Sequence, residues 1–236
     1  MTKRNPKQEG SNVFDCKPQS GPCPLNCNQC FYNREGAFYV DIHRPHMPSV
    51  AEVGDGIVRV NCGHDSNIDR EKVIAETAIY KDRFFNTAIA KFDFPAPVVF
   101  TANRKEEQRA TLIPCPAPDS LMFVRLRVSS TNSLYIKEAV LWYAVVLQVP
   151  VVLTFMAYYD GDPPTKDEYK WKVRHINSYW CARQSFIATV LADMKQFGGR
   201  MVTICGTPDS NWCRDCRNCE TYYWQAMKRL CESNAV

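Results

Sequence analysis

The chain has 236 residues, of which 45% are hydrophobic and 23% are charged. This composition suits one substantial globular core and excludes a long disordered chain. The formal net charge of +4 is mildly basic, and the Lys and Arg residues are not clustered as they are in a dedicated nucleic-acid binder.

The apolar pattern and the cysteine content indicate where the protein works. The longest apolar run, residues 145–157, is interrupted by Gln148 and Pro150 and is too short to span a bilayer, so no membrane partner is expected. The amino terminus lacks the apolar stretch of a secretory signal, so we expect a cytoplasmic location, where thiols stay reduced. Twelve cysteines in such a chain point to metal or redox chemistry rather than to disulfides.

Short β-branched and aromatic runs alternate with helical periodicity along the chain. Strands are predicted at residues 11–16, 56–61, 83–90, 96–101, 122–128, 149–156 and 201–204. Helices are predicted at residues 69–81, 134–146, about 175–196 and 220–231. Because the Val-rich runs are continuously apolar, they are typical of parallel strands that are buried on both faces.

This alternation predicts the α/β class. About six or seven strands are too few for a complete eight-stranded barrel, so we expect a partial (β/α)6-type barrel or an open doubly wound sheet. Residues 1–204 are expected to form the barrel. Residues 205–236 are expected to form a Cys-rich segment with a closing helix, packed on the same domain. In either architecture the site lies at the carboxyl ends of the strands.

Three cysteines stand in the loop after the first predicted strand. Cys23, Cys27 and Cys30 have C-x3-C-x2-C spacing. Three thiolates on one loop can hold three irons of a [4Fe–4S] cluster and leave the fourth iron open, as a catalytic metal requires. Structural zinc usually takes four ligands in paired C-x2-C units, and here Cys16 or Cys23 would have to complete the set. A zinc site or a chance grouping is therefore the alternative.

This loop resembles the signature of the radical S-adenosylmethionine enzymes, which is C-x3-C-x2-C with an aromatic residue beside the last cysteine. In that family the aromatic residue usually precedes the last cysteine, whereas here Gln29 holds that place and Phe31 and Tyr32 follow. The resemblance implies that the three cysteines are catalytic and that S-adenosylmethionine chelates the open iron. It also implies one-electron cleavage to a 5′-deoxyadenosyl radical, which abstracts hydrogen from a substrate that the sequence does not identify. A reducing partner such as flavodoxin or ferredoxin is then required.

Candidate contacts to S-adenosylmethionine follow the predicted strands. In the family, a Gly-rich turn after the second strand takes the methionine amino group, and the matching turn here is residues 61–66. Gly63 permits close backbone approach, and Asn61 or Asp65 can accept a hydrogen bond from an ammonium group. The alternative is a tight turn whose polar residues cap the next helix. The further candidates are the aromatic pair of the cysteine loop and polar residues of later strands, namely Phe31, Tyr32, Asn86, Arg125, Arg127 and Thr154.

Two arginines on one predicted strand are of special interest. Arg125 and Arg127 project to the same side, where either can clamp a carboxylate inside a barrel or, alternatively, form outward ion pairs with helices. The histidines show no metal-binding spacing and are expected in loops or on the surface. They are His43, His46, His64 and His175.

A second group of cysteines follows the last predicted strand. Cys205, Cys213, Cys216 and Cys219 have C-x7-C-x2-C-x2-C spacing. This pattern fits a second [4Fe–4S] cluster that relays electrons or anchors substrate, a structural zinc that joins the last strand to the last helix, or unligated thiols. In both metal cases, the Arg residues between the cysteines are expected to offset thiolate charge.

Two other functions stay open on the sequence. One is a non-catalytic zinc or iron–sulfur adaptor, whose metal centres only stabilise the fold. The other is a radical enzyme that modifies nucleic acid and stacks bases on aromatic side chains, although these side chains also suit packing of the last helix. The aromatic candidates are Trp171, Trp212, Tyr222, Tyr223 and Trp224.

Overall fold

The computed structural model describes residues 3–34, 36–105, 109–174, 177–207 and 209–233. The strands in these ranges are β1 (Val13–Cys16), β2 (Ile57–Val60), β3 (Arg83–Thr87), β4 (Val98–Thr101), β5 (Leu121–Val128), β6 (Val151–Phe155), β7 (Ala157–Tyr158), β8 (Tyr169–Lys172), β9 (Tyr179–Ala182) and β10 (Val202–Ile204). The α-helices are α1 (Val50–Val53), α2 (Arg70–Thr77), α3 (Ser133–Val140), α4 (Gln184–Gly198), α5 (Cys213–Cys216) and α6 (Asn218–Ser233). A π-helical turn at Leu141–Val146 continues α3.

Seven strands form one parallel sheet in the order β1-β2-β3-β4-β5-β6-β10, curled into a half-barrel. The predicted α/β class and partial barrel are confirmed at this level. All seven carboxyl ends meet at one edge of the sheet because the strands are parallel. Loops that follow neighbouring strands are therefore brought together there.

The connecting helices cover one face of the sheet. Val53 of α1 and Val73 of α2 pack against β2 and β3, and α3 and α4 pack against β5, β6 and β10. In α4, the buried side chains Phe186, Val190 and Met194 recur every four residues, so they form one apolar stripe. The opposite face, here called the inner face, is left for α6 and for the site.

Helix α6 covers the part of the inner face nearest the amino ends of the strands. The Tyr222 ring packs 5.6 Å from Phe123, and the Tyr223 ring packs 6.4 Å from Phe84. The Tyr223 hydroxyl also lies 3.1 Å from Asp82 Oδ1. Burial of two tyrosines with a polar partner fixes the helix on this part of the sheet.

A second, antiparallel sheet differs from the prediction. It has the strand order β7-β9-β8. The sequence predicts a helix over about residues 175–196, but residues 179–182 of that range form strand β9. That helix begins instead at Gln184. The reason is tertiary pairing, since Trp180 lies opposite both Tyr158 and Trp171 and is held in a strand by them. Residues 175 and 176 lie outside the described residues.

Within the described ranges, no helix combines the length and the apolar character needed to cross a bilayer. The longest of these helices, α4 and α6, both contain polar and charged side chains among their apolar ones.

Candidate functional site

The first cysteine group lies on the long loop between β1 and α1, whose two ends are held together. Lys17 and His46 exchange backbone hydrogen bonds of 2.7 and 2.8 Å. The buried Lys17 ammonium also donates to the carbonyls of Gln19, Ile42 and Arg44 at 2.7, 3.0 and 2.6 Å. The loop is therefore closed at the carboxyl end of β1. Sequence analysis missed this role, because a lone lysine after a strand has no distinguishing pattern.

Inside the loop, short-range hydrogen bonds set the positions of the cysteines. The Asn33 side chain accepts from Cys23 N at 3.0 Å and donates to Cys23 O at 3.1 Å. Cys30 N donates to Cys27 O at 3.2 Å. Asn26 before Cys27 has a φ of 43°, a left-handed conformation that asparagine tolerates better than most residues. The three cysteines thus lie on consecutive turns of one chain segment.

The electrostatic surroundings of these thiols are mixed. The pKa of the Cys23 thiol is raised to about 11, mainly by burial and to a smaller extent by the nearby Asp65, Cys27 and Cys30. Burial also raises the pKa of Cys27, whereas the positive charges of Arg127 and Arg104 act in the opposite direction. Among the described residues, no three Cys, His, Asp or Glu side chains are already arranged as a metal-binding group. The thiols are close enough to influence each other, but their side chains must turn toward a common point to bind metal.

Gln29, which stands where an aromatic residue was expected, joins the loop to the end of β7. Its Oε1 accepts from Tyr159 N at 2.9 Å, and its backbone φ is 48°. Arg34 forms an ion pair with Asp160 beside this contact. The departure from the expected motif therefore has a structural role, since it ties the cysteine loop to the antiparallel sheet.

The two aromatic residues after Cys30 lie in opposite environments. Phe31 is exposed, whereas Tyr32 is fully buried and donates its hydroxyl hydrogen bond to Gly21 O at 2.9 Å. A Cβ added at Gly63 would lie 2.2 Å from the Tyr32 ring, so only glycine fits under it. Gly63 thus permits close approach of Tyr32, whereas Phe31 is the exposed member of the pair, with its ring centroid 5.9 Å from that of Phe38.

The turn after β2 uses its polar residues in different ways. Asn61 is buried with a φ of 61°, and its Nδ2 donates to Ser66 Oγ at 3.1 Å. Its Oδ1 is buried and has no hydrogen-bond partner in the part of the chain that the structure describes. The Asn61 oxygen is therefore available to a donor from outside the protein.

Asp65 is already satisfied within the fold. Its carboxylate accepts from Asn67 N, Thr87 Oγ1 and Ala88 N at 2.8, 2.9 and 2.6 Å. Burial raises the pKa of this carboxyl, and the hydrogen bonds act against that rise. Its neighbour His64 is also buried, and His64 Nδ1 accepts from Asp65 N at 2.9 Å. Asp65 thus connects the loops after β2 and β3.

The predicted polar candidates of the strands come together on the inner face. Arg127 donates to the backbone carbonyls of Asn28 and Arg104, which links β5 to the cysteine loop. Thr154 lies beside Arg127 in the strand register, and its hydroxyl is buried without a partner among the described residues. The inner face therefore presents a cationic group and an unsatisfied hydroxyl directly next to the loop.

Arg125 lies two residues earlier on the same face and contacts different groups. Its guanidinium donates to Asn86 Oδ1 at 3.3 Å, and Asn86 Nδ2 donates to Val60 O at 2.9 Å. Burial lowers the pKa of Arg125, and the nearby Cys205 and Cys219 oppose that effect. Neither predicted arginine forms an ion pair with a helix within the described residues.

A buried ion pair on the inner face was not anticipated. Arg59 Nε donates to Asp15 Oδ1 at 2.7 Å, and the two side chains are 15% and 1% exposed. Asn5 and Gln8 donate to the same carboxylate at 2.8 and 2.7 Å. This network joins β1, β2 and the amino-terminal segment. The sequence carried a signal for it, since Asp15 and Arg59 each follow an inner apolar residue by two positions.

The second cysteine group lies at a pocket on the inner face. Of the two arginines expected beside these thiols, Arg217 lines the pocket and pairs with Glu220 at 3.1 Å, whereas Arg214 stacks 4.7 Å from the Trp212 ring. The expected balance of thiolate charge by Arg214 and Arg217 stays a prediction. The side chains that line the pocket beside the thiols include Cys205, Cys213, Cys216, Cys219, Arg59 and Arg125.

The aromatic residues and histidines singled out in the sequence differ in how deeply they are buried. Tyr222 and Tyr223 are buried in the packing of α6, so they are not exposed stacking residues. The exposed aromatic candidates are Trp171, Trp212 and Trp224. Of the histidines expected in loops or on the surface, His43 is exposed, whereas His46 and His64 are buried. His175 lies outside the described residues.

The chain matches no protein-family model, no curated protein and no solved structure. The candidate site therefore rests on the donor chemistry and geometry described above. Soft thiol ligands at the carboxyl edge of a parallel sheet suit iron–sulfur or zinc chemistry. Arg127 and the neighbouring Thr154 hydroxyl can donate hydrogen bonds to a carboxylate, and Asn61 Oδ1, which follows β2 on the same side of the sheet edge, can accept one from an ammonium group.

Proposed function

We propose that the chain is a radical S-adenosylmethionine enzyme whose [4Fe–4S] cluster is held by Cys23, Cys27 and Cys30. One observation carries the proposal. The three-cysteine loop leaves β1 at the carboxyl edge of a curled parallel sheet, and Arg127 of the inner face donates to its backbone at Asn28. A loop of this spacing supplies three thiolates and leaves one iron open.

The residues present fit such a cluster in chemistry and number. Cys23 is buried and Cys27 and Cys30 are half-buried, so thiolates on this loop are partly shielded from water. Tyr32 and Phe38 pack against Cys23 and form an apolar wall on one side. An apolar surround of this kind limits solvent access to a metal centre and tunes its redox potential.

Two unsatisfied oxygens and an arginine suit the methionine end of S-adenosylmethionine. In this proposal Asn61 Oδ1 accepts from the ammonium group, and the Arg127 guanidinium, which also donates to the carbonyls of Asn28 and Arg104, binds the carboxylate with its remaining N–H groups. Thr154 Oγ1 adds a buried hydroxyl beside that arginine. Asp65 is removed from direct contact because its carboxylate is used by the loops, so it acts as a positioning residue.

The chemistry supplied by the cluster when bound is the one-electron cleavage of the C5′–S bond, which gives methionine and a 5′-deoxyadenosyl radical that takes a hydrogen atom from substrate. The chain's own residues bind the cofactor, orient it and exclude water. The electron enters from a reduced partner such as flavodoxin or ferredoxin. In this proposal the substrate binds on the inner face beside Arg125 and Asn86, which provide polar contacts.

The test is anaerobic. Protein is reconstituted with iron and sulfide, reduced with dithionite and given S-adenosylmethionine, and 5′-deoxyadenosine is measured by mass spectrometry. Cys27→Ala is expected to abolish the product, whereas Cys231→Ala, a control at an exposed cysteine on α6, is expected to keep it. A bound cluster without any product in the unaltered protein would overturn the proposal in favour of an electron-transfer or structural centre. Zinc without iron would favour the adaptor function.

A further inference from the structure

We infer that Cys205, Cys213, Cys216 and Cys219 form a second metal–thiolate centre on the inner face of the half-barrel, with its negative charge balanced by Arg125 and Arg59. The inference does not depend on radical chemistry at the first loop. It rests on where the fold brings these four side chains and on which charges face them.

The chain turns sharply after β10 to place the first of the four cysteines. Cys205 N donates to Leu153 O at 2.8 Å, so Cys205 continues the pairing with β6. Gly206 follows with a φ of 96°, and an added Cβ would lie 2.7 Å from Ser210 O. Thr207 N donates to Ser210 O at 2.6 Å. Only glycine suits this turn, which sends the chain back toward the inner face.

The other three cysteines are fixed by two helices. Cys213 and Cys216 begin and end the single turn of α5, and Cys219 lies in the first turn of α6. Asn218 Nδ2 donates to Ile204 O at 2.7 Å, which ties the start of α6 to the end of β10. Strand end and helix start are thus held together, and all four cysteines line one pocket.

The charges around this pocket call for an anion. Arg59, Arg125, Arg217 and Glu220 line it; Arg59 pairs with Asp15, and Arg217 pairs with Glu220. Arg125 contacts the neutral Asn86 Oδ1 and lies 5.9 Å from the Phe123 ring centroid, and among the described residues no carboxylate lies within 4.0 Å of its guanidinium. A half-buried guanidinium without a counter-charge is unfavourable. Arg125 therefore needs a negative group in this pocket.

A metal bound by four thiolates supplies that charge. Four neutral thiols carry none and leave Arg125 uncompensated, whereas a zinc ion or a [4Fe–4S] cluster with four cysteine ligands is a net anion. Thiolates select these two metal types over hard cations. The described side chains are not yet arranged as a closed coordination group, so metal binding draws the four sulfurs together. Cys205 is exposed, which leaves an entry route for the metal.

The test removes the first loop from the measurement. In a variant with Cys23→Ala, Cys27→Ala and Cys30→Ala, metal content is measured after anaerobic loading, with iron plus sulfide in one arm and zinc in the other. We expect one centre per chain, with iron and sulfide in the first arm or zinc alone in the second. Adding Cys213→Ser and Cys216→Ser is expected to abolish binding, and the control pair Cys115→Ser and Cys231→Ser is expected to leave it unchanged.

A second variant keeps the test decisive if the cysteine variants fail to fold. Arg125→Gln retains all four thiols, and it is expected to release metal to a chelator about tenfold faster, as changes to groups around metal ligands do. Absence of bound metal in both arms, or metal retained after loss of Cys213 and Cys216, would overturn the inference. Because the first loop has no cysteines in the triple-alanine variant, loss of metal from that variant concerns only the second cysteine group. It can therefore be distinguished from failure of the radical proposal.

Discussion

The two cysteine segments of this chain are held in different ways. The first lies on a loop of about thirty residues that is closed at its base by Lys17 and His46 and otherwise shaped by turns. The second lies on a short turn and two helix ends, with Asn218 fastened to Ile204 at the end of β10. The first offers three thiols and a deformable backbone, whereas the second offers four thiols on a firmer frame. This difference suits an open, reactive centre and a closed one.

One strand serves both segments. Arg127 donates to the backbone of the first loop at Asn28, and Arg125, two residues earlier on the same face, lines the pocket of the second group. Side chains two residues apart on a strand point the same way but lie about 6–7 Å apart along it. Both cysteine segments thus lie close to β5, and the experiments below test whether each binds metal independently of the other.

The largest expected effect comes from removing one cysteine from each segment. Cys27→Ser is expected to lose about four irons per chain and all S-adenosylmethionine cleavage, because a three-cysteine loop has no spare ligand. Cys216→Ser is expected to keep dithionite-driven cleavage within about twofold, since sites without shared partners act almost additively. Iron analysis and the yield of 5′-deoxyadenosine check both. Equal loss in the two variants would show that the segments form one unit.

The ion pair between Asp15 and Arg59 is expected to give the next largest effect. Asp15→Asn leaves a buried guanidinium uncompensated, so the free energy of unfolding should fall by roughly 3 kcal/mol. Asp41→Asn is the control, because Asp41 and Arg44 form an exposed pair at 3.7 Å and should contribute less than about 1 kcal/mol. Urea unfolding measures both. A similar loss in the two variants would contradict the special role of the buried pair.

The same pair sets a pH dependence with a definite sign. Burial alone would raise the pKa of Asp15, but the charge and hydrogen bond of Arg59 hold it below the ordinary value of 3.8. The stabilisation is therefore present above pH 3.8 and is lost as the pH falls through the lower folded-state pKa. The difference in unfolding free energy between the unaltered protein and Asp15→Asn should accordingly shrink at acidic pH. A constant difference from pH 7 to pH 3 would contradict this.

Replacing Arg127 and replacing Arg125 form a matched pair of experiments, in which we expect a smaller effect on the rate of iron release from the first loop. Arg127→Gln removes the donors to the backbone of the first loop, so iron on that loop should be released to a chelator about 10 to 100 times faster. Arg125→Gln should leave that rate nearly unchanged, because its contacts lie at Asn86 and the second pocket. Release is followed by loss of visible absorbance in a variant that lacks Cys213 and Cys216. Equal rates for the two arginine variants would remove the distinction.

Much of the parallel sheet could be predicted from sequence, because each strand is a compact apolar run with a local signature. Val98–Thr101 is β-branched or aromatic throughout, Val151–Phe155 is so except at Leu153, and both are strands as expected. The antiparallel sheet could not be predicted in the same way. Residues 179–182 begin with two adjacent aromatic side chains and fit a helical apolar stripe, so only their pairing with β7 and β8 decides that they form a strand.

The cysteine groups could be found from spacing alone, since their ligands are near each other in sequence. That Cys219 and Arg125 line one pocket could not be found from the sequence, because it depends on which strands are neighbours in the sheet and on their register. The sequence predicted charge balance by Arg214 and Arg217 instead, and of these Arg217 lines the pocket as well but pairs with Glu220. Period-two alternation on β1 and β2 was the available signal for Asp15 and Arg59.

Gln29 gives the smallest expected effect and tests how firmly the first segment is held. Gln29→Ala leaves Tyr159 N without its acceptor, so the free energy of unfolding should fall by about 1 kcal/mol. Gln148→Ala is the control, because Gln148 also has a positive φ, of 54°, but its side chain donates at the surface to Val145 O. Comparison of the two separates the lost contact from the shared backbone conformation.

Hydrogen exchange shows where the effect of Gln29→Ala is located. The amides of Tyr159 and Asp160 should exchange faster, while those of β5 and β6 stay protected, because the contact joins two loops and not the sheet. If the first loop is deformable and the second segment firm, the amides at the start of α6 should also be unaffected. Faster exchange at both cysteine segments would mean that Gln29 supports a frame common to the two.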